Sequence, residues 1–404
     1  MKIEQTDMDE RPRLKFEPYQ STAIEAAATH LRHYNKRGVL VAPAGAGKTV
    51  LCAGLVRRLQ NPSVLWLAPT QEVKAQAEEA CRKIGVQDRV TCACFQGSPS
   101  AAGYDMLIID EAHTAACESI RGIIATAGVD CWILGVTATP DRPDGEDITK
   151  IIGPIFHTVS RADVMATGRI VSASVRWMDV KGDLHEEVQK LMEEKKNTKK
   201  EKGLRKRMFY GKAKSSGIMN LFDWMNSPQA KELWKEINEK RDRDILFQSA
   251  RKIGIVENQA RNEKAAKVAR RAIDAGRSVL VLVAEKTQGR AIVDLIGDGA
   301  VMVHSGMKKR EATIEALRAG EIRGAVATSM LDQGADFPIL SVLVMACGGR
   351  AEGRTIQRVG RVCRNHGDGL DKWVFDFADQ SHFMLSAQYK ARRKVYKTLG
   401  LKEG

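Results

Sequence analysis

Along the first 170 residues, short uninterrupted apolar runs alternate with longer stretches of helical periodicity. The runs are Gly38–Ala42, Ser63–Ala68, Met106–Ile109 and Cys131–Thr137. Apolar runs of this length, separated by helices, are the pattern of strands buried on both faces of a parallel sheet. The alternation returns near residue 264 with Ser278–Ala284, Val301–His304, Gly324–Thr328, Ser341–Ala346 and Lys372–Phe377. The pattern predicts an α/β chain with two parallel-sheet units in tandem, over 1–175 and 256–404, each long enough to form a domain.

Residues 176–255 break this rhythm. Within 181–250 there is no strand-like run, and Lys, Glu, Arg and Met dominate. A helical insertion or linker is expected there. The stretch Lys195–Lys214 carries ten basic residues against one acid, Glu201, a net +9 out of the +14 of the whole chain. Charge runs of this kind are ordinarily solvated helix faces. They equally suit contact with phosphates, through Lys199, Lys200, Arg205, Lys206 and Arg207. From the pattern alone both readings stay open.

Composition narrows the class. A chain of 404 residues with 43% apolar content has ample material for globular cores, which excludes wholesale disorder. No apolar run approaches the roughly 18–20 residues of a spanning helix. The acidic start, Met1–Glu10, has no apolar segment of the secretory kind. Eight cysteines form no CxxC pair, and Cys92 and Cys94 are too close for a zinc knuckle. Buried reduced thiols and a cytoplasmic location are the expectation.

Two local motifs carry chemistry. The first is Ala42–Thr49, A-P-A-G-A-G-K-T, which leaves an apolar strand and enters a helix over Val50–Leu59. That is the setting of a phosphate-binding loop. Gly45, Ala46 and Gly47 would turn backbone N–H groups inward, beside the positive end of the helix. Lys48 would reach the β- and γ-phosphates of a nucleotide, and Thr49 would hold Mg²⁺. The strict motif places Gly at position 42, where Ala stands. The second motif is Met106–His113, an apolar run ending in Asp110 and Glu111. Carboxylates at the C-terminal edge of a strand lie where α/β sheets bind ligands. Asp110 suits Mg²⁺, and Glu111 suits polarising the water that attacks the γ-phosphate.

With these residues in place, the sequence resembles the superfamily 2 helicases, specifically DEAH-type DNA translocases of the XPB, RadD and UvsW kinds. The resemblance spans the chain apart from 181–250. It implies two RecA-like lobes with a basic, helical inter-lobe insertion, and an ATPase driven by ATP and Mg²⁺. Phe16–Gln20 is similar to the family's adenine-reading segment, with Glu17 where Arg is usual; Gln20 would present its amide to the base. Thr70, in Ala68–Gln71, would contact the tracking strand. Thr137 and Thr139, together with His113, would couple nucleotide state to strand binding. In the second unit, Ala325–Pro338 is similar to motif V, which implies Gly334 and Asp336 near the nucleotide and Thr328 near the phosphodiester backbone. Gln357–Arg364 is similar to motif VI, which implies Arg361 and Arg364 as arginine fingers and Gln357 as a positioner of the attacking water. His304 is a further strand contact or a polar strand cap, and Phe95–Ser98 a diverged DNA contact or an ordinary loop.

The resemblance further implies 3′→5′ movement on duplex or branched DNA by a monomer, in repair, recombination or phage replication. An RNA helicase and an ATP-gated nucleic-acid clamp are the alternatives. Pro140, Asp141, Asp147 and Lys150 form no nuclease centre, since the spacing to Lys150 is off by one and Pro140 belongs to Thr137–Pro140.

Overall fold

The computed structural model describes residues 15–114, 118–140, 146–180, 182–215, 224–225, 227–304, 306–328 and 340–404. The first lobe opens with helix α1 (Pro18–Thr29), which leads to β1 (Arg37–Val41) and α2 (Lys48–Arg58). Strand β2 (Val64–Ala68), helix α3 (Gln71–Ile84), β3 (Val90–Cys94) and β4 (Met106–Asp110) follow. Helix α4 (Glu118–Ala125), β5 (Trp132–Thr137), β6 (Ile155–Thr158) and α5 (Arg161–Ala166) complete it. All six strands are parallel, in the order β3-β2-β4-β5-β1-β6. One face of the sheet buries Leu51, Leu55 and Trp66 under α1, α2 and α3; the other buries Ile109, Ile120 and Ile123. Strands β4, β5 and β1 are neighbours, so their C-terminal ends open side by side.

The second lobe begins with β7 (Ala173–Asp179), so the boundary expected at residue 175 falls inside a strand of the second sheet. From β7 the chain leaves for an insertion whose described helices include α6 (His185–Lys196), α7 (Lys199–Ser215) and α8 (Pro228–Arg251), before α9 (Gln259–Asp274). Then come β8 (Val279–Val283), α10 (Lys286–Ile296), β9 (Ala300–Val303), α11 (Arg310–Arg318) and β10 (Gly324–Thr328). The lobe ends with β11 (Val342–Met345), α12 (Glu352–Val362), β12 (Lys372–Ala378), α13 (Phe383–Thr398) and β13 (Lys402–Glu403). The order is β13-β7-β12-β11-β8-β10-β9, again wholly parallel. The molecule thus consists of two parallel-sheet lobes of the RecA-like kind, with a helical insertion. Among the described residues no helix is long and apolar enough to cross a membrane.

The insertion lies between the lobes in sequence but is rooted in the second. It enters from β7, and Leu184 N–H donates to Ser381 O at 3.0 Å just before α13. It has a small core of its own, where the Phe209 and Trp234 rings meet edge to face with centroids 5.2 Å apart. Above this core Glu201 accepts from Arg205 Nε at 3.2 Å and from Arg241 Nη2 at 2.7 Å. Asp242 accepts from Arg205 Nη2 at 2.6 Å and pairs with Lys196 at 3.0 Å. The expected role of Arg205 in nucleic-acid contact is therefore corrected. Its guanidinium, which also donates to Asn238, is turned inward to tie α7 to α8.

Hydrogen bonding from Arg241, followed by that from Arg205, holds the Glu201 carboxyl below its ordinary 4.5 despite burial. A lowered folded-state value stabilises the insertion above pH 4.5, and this stabilisation disappears as pH falls through the lowered value. The expected result is a near-ultraviolet circular dichroism signal from the aromatic cluster that declines below pH 4.5. In Glu201→Gln the signal is expected to be reduced already at pH 7, because two guanidiniums lose their shared anion.

Candidate nucleotide site between the two lobes

Strand β1 delivers the chain to a turn in which Ala42 N–H donates to Thr137 O at 2.9 Å and Ala46 N–H to Pro43 O at 3.1 Å. Gly45 and Gly47 adopt φ of 88° and 74°, the left-handed region that costs glycine little. Space also excludes side chains: a Cβ on Gly45 would stand 2.6 Å from Ile170, and one on Gly47 2.9 Å from the Gln20 amide. Position 42 has no such demand. Ala42 is buried at the strand end and is not among the residues with positive φ, so Ala in place of Gly leaves the loop intact. Helix α2 then begins at Lys48, aiming its first N–H groups into the cleft.

Gln20, expected to present its amide to the base, stands beside the turn. Its Nε2 donates to Ala46 O at 3.0 Å, and its Oε1 accepts from Glu17 N–H at 3.1 Å. Gln20 is wholly buried, with one hydrogen bond at each end of its amide, to the loop and to the start of α1. Tyr19 Oη donates to the same Ala46 carbonyl at 3.0 Å. These two side chains brace the phosphate-binding turn from beneath and do not line the cleft.

Strand β4 brings Asp110 and Glu111 to the same edge. Glu111 has φ of 50°, a strained value for a residue with a side chain. Lys48 Nζ lies 3.5 Å from one of its oxygens and His113 Nδ1 3.5 Å from the other. The His113 Nδ1 is 3.2 Å from Thr137 Oγ1, and that hydroxyl donates to Thr139 O at 3.0 Å. With the Thr137 proton committed, the facing imidazole nitrogen is the donor. Burial, and then the adjoining Glu111 charge, push the Asp110 carboxyl up to about 6, against the pull of Lys48. Two carboxylates with one lysine leave excess negative charge beside the Thr49 hydroxyl. That donor set fits a hard divalent cation.

The opposite wall comes from the second lobe. Gln357, Gly360, Arg361 and Arg364 face Lys48, Thr49, Asp110 and Glu111 across a cavity of 400 Å³, within the range of small-ligand pockets. The walls meet tightly at one point, where a Cβ on Gly360 would lie 2.5 Å from the Ala44 Cβ. Close by, Gly353 faces Thr139, with a would-be Cβ 3.0 Å from Oγ1. The line Lys48–Glu111–His113–Thr137–Thr139 therefore ends against α12, the helix that carries Gln357 and Arg361. The crossing segment is pinned as well: Val171 N–H donates to Cys363 O at 2.7 Å, and Asn365 N–H to Arg169 O at 3.0 Å. Away from the cleft, Arg310 Nη1 bonds Glu72 at 2.5 Å, joining α11 to α3.

The expected nucleic-acid contacts are spread out. Thr70 sits at the end of β2, where its hydroxyl caps α3 by accepting from Val73 N–H at 3.3 Å. His304 Nδ1 accepts from Gly306 N–H at 3.2 Å, so the ring closes a local turn. Thr328 ends β10. Lys199, Lys200, Lys206 and Arg207 are exposed on α7. Gly334 and Asp336 lie outside the described residues. Arg169 and Gly360 are among the contributors to the site that the sequence reading does not single out, as are Gln76, Asn365 and His366. Gly360 stood inside the Gln357–Arg364 motif without an assigned partner, and Arg169 carried no signal beyond its charge.

The sequence matches two family models, "Type III restriction enzyme, res subunit" over residues 13–101 and "Helicase conserved C-terminal domain" over 262–366. It is 24% identical over 390 residues to "DNA 3'-5' translocase XPB2" of Sulfurisphaera tokodaii, covering 90% of this chain and 83% of that one. It is 22% identical over 404 residues to "Putative ATP-dependent helicase IRC3" of Saccharomyces cerevisiae, covering 90% of this chain but only 51% of that protein. In fold it is similar to the Hef helicase domain of Pyrococcus furiosus, with a TM-score of 0.53 and 18% identity, over 93% of this chain and 98% of that one. The two family matches, one on either side of this cleft, and the XPB2 relative together indicate a superfamily 2 helicase, a nucleic-acid-dependent ATPase related to the XPB-like DNA translocases.

Proposed function

We propose that the protein is an ATP-driven DNA translocase that moves 3′→5′ along one strand and remodels duplex or branched DNA. The observation that carries this reading is the shared cleft, in which Gln357, Arg361 and Arg364 of one lobe face Lys48, Asp110 and Glu111 of the other. Phosphoryl transfer to water gains chiefly from cations placed around the γ-phosphate. Dividing those cations between two lobes makes hydrolysis depend on closure, and makes each turnover a cycle of closing and reopening.

Within that cycle the backbone N–H groups of Gly45, Ala46 and Gly47 and the Lys48 ammonium hold the triphosphate of ATP. Thr49 and Asp110 would hold Mg²⁺, which supplies charge neutralisation between the phosphates when bound. Glu111 accepts the proton of the attacking water, which Gln357 orients, while Arg361 and Arg364 stabilise the transferring phosphoryl group. The His113–Thr137–Thr139 line transmits the state of Glu111 to α12 through Gly353. Gly334 and Asp336 belong to the same proposal through motif V. On the nucleic acid, Thr70, His304 and Thr328 would contact the strand and α7 the flanking phosphates, a backbone grip without base readout. The name of the XPB2 relative supports both DNA over RNA and the 3′→5′ sense.

The test is displacement of a labelled strand from forks bearing only a 3′ or only a 5′ tail. ATP-dependent displacement from the 3′-tailed fork is expected; displacement confined to 5′ tails, or to RNA substrates, would overturn the reading. Replacing Lys199, Lys200, Lys206 and Arg207 together by Ser is expected to weaken DNA binding while leaving DNA-free ATPase intact. The slope of log affinity for duplex DNA against log salt should fall by about 3.6 for four lost phosphate contacts. An unchanged slope would remove α7 from the DNA interface.

A further inference from the structure

Helix α12 carries Gln357 and Arg361 into the cleft, and its placement is set by the turn that leads into it. Strand β11 ends at Met345, and Gly348 and Gly349 follow with φ of 62° and 106°. Two successive residues of this kind make a joint that side chains enter only at a cost. Both polar groups of the Gly349 backbone are held by α13. Its N–H donates to Gln388 Oε1 at 2.7 Å, and its carbonyl accepts from Arg392 Nη1 at 2.9 Å. Arg392 is itself locked, buried between Asp376 and Asp379.

The other face of the joint is covered by the root of the insertion. After Arg251 the chain of α8 winds wider into a π turn, Lys252–Val256, a form that is rare in helices and frequent at functional sites. This turn rests Ile255 on the joint: a Cβ on Gly348 would stand 2.6 Å from Ile255 Cδ1. It also brings Gly254 tightly against Leu385 of α13. One buried amide joins the same parts, with Gln288 Nε2 lying 3.0 Å from Ile255 O and 3.3 Å from Ala346 O, just past β11. Further along α8, Arg241 bonds Glu201 of α7, so a continuous helix connects the basic face of the insertion to this joint.

We propose that Gln388 and Ile255 are positioning residues for hydrolysis. Gln388 fixes the joint from which the arginine-finger helix starts, and Ile255 makes that joint answer to the insertion. Nucleic acid held on α7 then acts on Arg361 through α8 and Gly348, from outside the cleft. The proposal rests on the nucleotide-site and DNA readings above. A contact that served folding alone would change stability; a positioning contact lowers kcat and spares ligand binding.

The test is ATP hydrolysis with and without forked DNA, read as kcat and KM, beside DNA affinity and the thermal midpoint. Gln388→Met keeps the shape of the side chain and removes the acceptor. Its kcat is expected to fall about tenfold, the scale of one lost hydrogen bond, with KM for ATP and DNA affinity at wild-type values. Gln388→Glu keeps an acceptor and is expected to retain kcat; it sacrifices no bond, because Nε2 has no partner among the described residues. Ile255→Val deletes only Cδ1, the atom against Gly348, and is expected to lower the DNA-stimulated kcat about threefold with DNA affinity unchanged. Since both side chains act through one joint, the double variant should lose less than the product of the two single losses. Equal losses in Gln388→Met and Gln388→Glu, multiplicative losses in the double variant, or lower thermal midpoints with kcat intact would each overturn the proposal. If Gln388→Met does not fold, Ile255→Val decides, and an unchanged DNA-stimulated kcat then counts against it. A wild type without ATPase activity, or with activity indifferent to DNA, would sink the reading beneath the proposal, a failure distinct from one confined to the variants.

Discussion

Glu111→Gln is expected to bind ATP as well as or better than the wild type and to turn it over roughly 10²–10⁴-fold more slowly, the usual contribution of a general base. The substitution keeps the shape of the side chain, so the left-handed backbone at 111 and the packing around it are retained. What changes is charge. The amide cannot take a proton from water, and the pairings with Lys48 and His113 lose their ionic part. Removing that charge also relieves Asp110, whose carboxyl is raised by burial and then by Glu111. A less repulsive cleft is the reason for expecting undiminished ATP affinity. Equilibrium binding of ATP together with steady-state phosphate release measures both halves, and normal turnover would remove Glu111 from the chemistry.

Gly360→Leu should separate binding from hydrolysis by a different route. Helix α12 meets the phosphate-binding loop where Gly360 faces Ala44, and a Cβ there would stand only 2.5 Å from the alanine Cβ. No side chain fits at that distance. Leucine favours helix more than glycine does, so the helix itself should survive while the lobes are propped apart. Arg361 and Arg364 are then withdrawn from the phosphate end of the cleft. The expected outcome is retained ATP binding with hydrolysis reduced about 10³-fold or more, the scale of losing an arginine finger. Gly360→Ala should give a milder defect that Ala44→Gly repairs, because the clash is between those two methyl groups. Failure of that pair to compensate would mean the two lobes do not close through this contact.

The parts of the molecule legible in the sequence share a physical property: their signal is local. Strands β1, β2, β4, β5, β8, β10, β11 and β12 lie inside a sheet, where burial on both faces favours largely apolar runs, and β9, although at a sheet edge, was legible too as Val301–His304. The strands that went unread lie at or next to a sheet margin. Strand β6 shows Ile155 half exposed, and β7 alternates, with Val175 buried and Arg176 lying over the Trp373 ring at 4.8 Å. The two motifs around Lys48 and Glu111 were readable because glycines, a lysine and carboxylates fall within a few residues of one another. Pairings between distant positions carry no such signal. Glu17 with Arg169, Gly360 with Ala44, and Arg205 with Asp242 are separated by the fold and joined only by it. The same holds for the bond from the Gln20 amide to the Ala46 carbonyl, 26 residues away in the chain. The charge of Lys195–Lys214 likewise divides once the structure is seen: Arg205 and Lys196 neutralise acids of α7 and α8, and Lys199, Lys200, Lys206 and Arg207 stay on the surface.

The central claim is that ATP is hydrolysed in the cleft between the lobes under the control of bound DNA. Its most direct test is the rate of phosphate release from ATP by the wild type and by Lys48→Ala, each without nucleic acid and with single-stranded, duplex and forked DNA and with RNA. The account predicts a low rate in the absence of nucleic acid, a large stimulation by DNA, and no hydrolysis by Lys48→Ala under any condition. A rate indifferent to DNA, or one that survives the loss of Lys48, would contradict it.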